Sequence, residues 1–146
     1  MKRLEQRWSE LGESYAGLSE TEMNRPGVAG EWSVKDVIAH VTTWEEESLK
    51  HLPQILAGGR PPRYSVTYGG IDAFNAQMAE RKRGLSLAEV LRQRNETHRR
   101  LVEFIQGTHE REFVRETRCR RRLRFDTYGH YVRHAEAVNR WRRGRV

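Results

Sequence analysis

Leu4, Trp8, Leu11, Tyr15 and Leu18 recur every three or four residues at the start of the chain. That period puts one apolar stripe on a helix spanning about residues 2–17. Ser19 followed by Glu22 is a capping signal for at most one further turn, which Pro26-Gly27 stops. A longer pattern opens at Ser33, which can cap a first turn while Asp36 reaches back to it. Val34, Val37, Ile38, Val41 and Trp44 follow at helical spacing, in a helix running towards Ala57. Pro53 should kink or restart that helix, and Gly58-Gly59 end it. Residues 58–70 read as a long loop, and Ile71, Phe74 and Met78 as a short helix reaching about Lys82. Ser86 with Glu89 opens a third long helix carrying Leu87, Val90, Leu91, His98, Leu101, Val102 and Ile105. Residues 107–125 are ambiguous: Phe113, Val114, Leu123 and Phe125 could touch a core, but the arginines argue for a surface crossover. A last helix runs from about Thr127 to Arg143, and no strand pattern or internal repeat appears. The expected fold is all-α: an antiparallel four-helix bundle with a short extra helix and long connecting loops. It should form one domain over residues 1–146, with Trp8, Trp44 and Leu101 largely buried.

Charge changes this picture at one end only. Residues 1–110 hold 15 Lys and Arg against 16 Asp and Glu, whereas residues 111–146 hold 12 against 4. Such a patch can attract nucleic acid or another anion, but no nucleic-acid motif accompanies it. The simpler reading is a solvated face, with Arg118, Arg120, Arg121, Arg122 and Arg124 mainly exposed and dispensable for folding. No apolar run approaches the ~20 residues of a membrane span. The single cysteine, Cys119, excludes an internal disulfide framework, and the N-terminus lacks the apolar centre of a signal peptide. A cytoplasmic protein without a membrane partner is expected.

The candidate chemistry is in histidines. His40 is three residues after Val37 and four before Trp44, which places it on the apolar stripe. His130 and His134 are four apart on the last helix, sharing a face with Ala137, Val138 and Trp141. Arg133, Glu136, Arg140 and Arg143 fall mostly on the other face. A buried imidazole needs a partner for its nitrogens, and three inward histidines on two helices suit one metal ion. Three protein ligands leave a coordination position open, as catalytic sites do. The plainer alternative is three core histidines satisfied by carbonyls or carboxylates. His98, with Asn95 near it, reads as a fourth ligand, a supporting donor or plain core, and His51 and His109 as surface residues. Glu45, Glu46 and Glu47 read as a solvated face, one of them at most a carboxylate near the site. Tyr131 beside His130 either supplies a proton or merely packs.

Three stretches carry a resemblance: Gly30-Glu-Trp-Ser-Val-Lys-Asp-Val-Ile-Ala-His40, Asp72-Ala-Phe-Asn75, and His130-Tyr-Val-Arg-His134 with Trp141 downstream. With them the chain resembles the DinB/YfiT-like superfamily of metal-binding four-helix bundles, and within it the ClbS/DfsB type. The resemblance implies a divalent metal on His40, His130 and His134. Zinc or nickel is favoured, and iron also suits three imidazoles. Many relatives are transferases or isomerases that use a low-molecular-weight thiol, and the ClbS-like branch includes a hydrolase that disarms a genotoxin. Some members of that branch lack the full triad.

The resulting expectation is a metal-dependent enzyme acting on a small electrophilic substrate, by thiol transfer or hydrolysis, in detoxification. The rival is a protein that sequesters a small toxic molecule without turning it over. A basic nucleic-acid module is the weakest reading, since no aromatic-basic interleaving supports it. A homodimer is compatible with all three.

Overall fold

The computed structural model describes residues 1–144. The chain opens with α1 (Lys2–Ser14) and a single turn, α2 (Glu20–Met23), held by the Ser19/Glu22 capping box. A tight turn then aims the next helix. Trp32 N–H donates to the Ala29 carbonyl (3.0 Å), and Gly30 between them sits at φ 59°, a conformation that strains residues with a Cβ. Helix α3 (Val34–Leu56) starts with the Ser33/Asp36 capping box and runs unbroken through Pro53, so the expected restart does not occur. Pro53 is exposed and lies in the last turn of the helix, so the missing N–H interrupts the ladder only one turn before it ends.

Residues 58–70 are not wholly loop. They contain a helical turn, α4 (Tyr64–Thr67), which leads into α5 (Ile71–Lys82). Then come α6 (Leu87–Gln106), the turn α7 (Arg111–Val114), α8 (Arg118–Asp126) and α9 (Tyr128–Arg143). The ambiguous segment is therefore largely helical. Cys119, Leu123 and Asp126 form its buried face, and only the remaining positions carry the arginines outward.

Helices α1, α3, α6 and α9 form the antiparallel four-helix bundle, and α8 packs along α3 beside α9. Leu4, Val34, Leu52, Leu101 and Val138 sit at its centre, essentially without exposure. Trp44 and Leu101 are buried as expected, whereas Trp8 is only partly covered. Its ring lies flat on His98 (centroids 3.8 Å, 9° between planes) and is capped by the Arg94 guanidinium at 3.8 Å. Gly129 lets α9 start close against α8, because a Cβ there would meet the Arg124 carbonyl oxygen at 2.8 Å. Among the described residues, no helix is long and apolar enough to cross a membrane.

The expected solvated arginine face is only partly so: Arg121 is exposed, Arg118, Arg120, Arg122 and Arg124 are half-buried, and Arg122 is paired with a buried acid. Arg122 Nε donates to Asp126 Oδ2 (2.8 Å) and its Nη2 to the Tyr64 hydroxyl (2.5 Å). Asp126 has no exposure, and the Ser48 hydroxyl also donates to its Oδ2 (2.8 Å). Burial pushes the Asp126 carboxyl up to about 6, against the pull of Arg122 and Ser48. Arg122 therefore stitches α8 to α4 and balances a buried acid.

Candidate metal centre

His40 projects from the second turn of α3, and His130 and His134 from the first two turns of α9. Their Nε2 atoms meet. His130 Nε2 lies 3.1 Å from that of His40 and 2.8 Å from that of His134, and one nitrogen from each of the three lies within 4.8 Å of the others. His130 is buried, and the other two rings are partly so. Trp32 leans on the His40 ring at 4.8 Å, and Trp44 meets His130 edge-on at 6.3 Å.

This geometry is awkward for three neutral imidazoles alone. His130 Nε2 faces two other ring nitrogens but can make only one good hydrogen bond, as donor or as acceptor. Protonation is no remedy. Burial, together with the neighbouring imidazoles and Arg133, lowers His40 to about 2, and burial with His134 and Arg133 lowers His130 to about 3. Burial and then Arg133 lower His134 to about 4. Three bare nitrogen lone pairs around one point are what a divalent cation requires. A tetrahedral ion at ~2.0–2.1 Å sets its ligand nitrogens about 3.3 Å apart, close to the 3.1 and 2.8 Å that His130 makes, while the widest separation of 4.8 Å would have to shorten. The donor set thus fits zinc, nickel or iron.

The other sequence candidates lie elsewhere. His98 is not part of this cluster. Its Nδ1 is 2.6 Å from Glu45 Oε1 and its Nε2 is 2.8 Å from Glu5 Oε1. With a carboxylate on each nitrogen the ring is a doubly donating imidazolium. Burial opposes that charge, but the two carboxylates outweigh it and raise the pKa. Asn95 takes no part in this and accepts from Arg94 instead. Tyr131 is fully buried, and its hydroxyl donates to Glu45 Oε1 (2.8 Å), with burial first and Glu45 next holding it well above its ordinary range.

The three glutamates do not form a solvated face. Glu45 and Glu47 are buried, and Glu46 receives Lys82 Nζ at 2.8 Å. Glu47 accepts from the Tyr64 hydroxyl at 2.9 Å. His51 is buried as well, 3.4 Å from Glu47, while His109 is exposed as expected.

Beside the histidines opens a cavity of about 290 Å³ that reaches His130 and Trp44. Asn75, Asp72, Phe125 and Arg133 share its lining. Sequence reasoning assigned Arg133 to the opposite face from the histidines. Its position three residues after His130 was the available signal, since residues at that spacing neighbour one another on a helix.

A four-helix bundle whose α3 and α9 bring three imidazoles together is, by class, a helical protein with a histidine cluster that could hold a metal ion. The chain belongs to the DinB superfamily, whose family model matches residues 3–137. A solved structure titled "Sibling Lethal Factor Precursor - DfsB" shares the fold, with a TM-score of 0.80 at 14 % identity over 99 % of this chain and 93 % of that one. No curated protein matches the chain.

Proposed function

We propose that this protein is a divalent-metal-dependent enzyme acting on a small electrophilic molecule, by thiol transfer or hydrolysis. The observation that carries the reading is the convergence of three neutral imidazole nitrogens next to an open cavity. His40, His130 and His134 would hold the ion, with His130 on the cavity wall, and three protein ligands would leave a coordination position open. A bound cation supplies Lewis acidity, which favours the thiolate form of a thiol or the hydroxide form of water at neutral pH. The chain's own part is to fix the three ring orientations, with Trp32 and Trp44 packed against them, and to keep the rings deprotonated by burial. Membership of the DinB superfamily supports the reading.

The test is turnover. Zinc- or nickel-loaded protein is incubated with chlorodinitrobenzene and cysteine, and separately with an epoxide in water. We expect many equivalents of product per protein from one of the two, lost in His130→Gln. Substrate loss that stops at one equivalent would instead identify a sequestering protein.

A further inference from the structure

The cavity beside the histidines has a definite chemical character. Its wall is apolar on one side. Trp44 meets Phe125 edge-on (centroids 5.7 Å), and Phe125 and Ile71 stay 55 % and 41 % exposed on the lining. Large apolar side chains left uncovered beside a site mark the place of a ligand's apolar body.

Its polar lining favours negative charge. Arg133 is exposed at the cavity and makes no ion pair or hydrogen bond among the described residues. Asn75 adds a second donor. Trp44 Nε1–H donates to it at 3.0 Å, and an indole nitrogen can only donate, so the Asn75 atom in that bond is its oxygen. The Asn75 amide N–H₂ is thereby left free for another acceptor, and Asn75 lines this cavity. Asp72 also lines the cavity and limits how much negative charge is welcome there. At about 290 Å³, the space suits a molecule at the small end of the ~300–1,000 Å³ range of ligand pockets.

We infer that this cavity selects a small monoanionic molecule with an apolar body, its anionic group taken by Arg133 and the Asn75 amide and its body laid on Trp44, Phe125 and Ile71. The inference rests on the reading of the adjacent histidines as an active site.

Phenylacetate is the probe, with neutral phenylacetamide and inorganic pyrophosphate as comparisons. Binding to the full-length, chelator-treated protein is followed by the NMR shifts of its indole N–H signals. Metal is left out so that no ion can capture the carboxylate. Phenylacetate should bind at least tenfold more tightly than phenylacetamide and shift the Trp44 signal. Arg133→Gln should erase that preference. Asn75→Asp, which keeps the acceptor for Trp44 and replaces the donor by a negative charge, should weaken phenylacetate more than phenylacetamide. Arg100→Gln, an exposed charge on α6, should leave the preference intact. Equal binding of acid and amide, a preference that survives Arg133→Gln, or tighter binding of pyrophosphate would overturn the inference. Zinc titration of wild type and Arg133→Gln runs alongside. Protein that binds zinc but shows no preference for the acid counts against this inference alone, and protein that binds no zinc counts against the active-site reading.

Discussion

The histidines differ in what faces their ring nitrogens, and that decides their charge. His98 faces two carboxylates, which favour its protonated form, whereas His40, His130 and His134 face one another and are held neutral. The pH dependence of stability follows with a definite sign. The triad's folded pKa values, about 2, 3 and 4, lie below the ordinary value of 6.5, so the unfolded chain takes up protons first. Metal-free protein should therefore lose stability as pH falls below 6.5, by up to about 1.4 kcal/mol per pH unit for each histidine. His98 and Asp126 work the other way. Both are raised, so what each contributes is full at low pH and lost as pH rises through its folded value. Comparing urea midpoints at pH 7, 6 and 5 between wild type and the His40→Gln/His130→Gln/His134→Gln variant isolates the triad. The variant should show a flatter slope, and an equal slope in both would contradict this account. The triad was legible because spacing of three and four turned each ring inward. The buried Glu45 and Glu47 were not, because acidic residues in a row give no sign of which partners wait across the bundle.

At the level of elements, capping residues and apolar spacing located the long helices within a few residues. The second was expected over residues 34–57 and is α3, Val34–Leu56. The first was expected to reach 17 but ends at Ser14, since Tyr15 and Leu18 pack from the turn that follows and mimic a continued helix. Helix α8 was hidden because five arginines crowd residues 118–124 and mask the spacing of Cys119, Leu123 and Asp126. Its docking depends on Arg122, which pairs with an acid that has no exposure of its own. Arg122→Gln should cost about 3 kcal/mol at pH 7, because it removes the cation that keeps the buried Asp126 carboxyl ionised. Arg121→Gln, on the exposed side of the same helix, should change stability by less than about 0.5 kcal/mol. Chemical denaturation of the two variants checks both, and similar losses would return Arg122 to the solvated face.

For the whole molecule, the bundle serves to hold α3 and α9 at fixed distance and rotation. That arrangement joins His40 to a pair ninety residues away, with Trp32 and Trp44 packed on the rings. The all-α bundle and the histidines on its inner faces were readable from periodicity. The cavity was not, because its lining comes from α3, α5, α8 and α9 at once. The central claim is that the three imidazoles take one ion. The most direct measurement is a zinc and a nickel titration of chelator-treated protein, with X-ray absorption on the loaded sample. One equivalent should bind, with three imidazole nitrogens at ~2.0–2.1 Å, and His130→Gln should weaken it at least tenfold. Failure of both metals to bind in a one-to-one ratio, or binding unchanged in His130→Gln, would contradict the account.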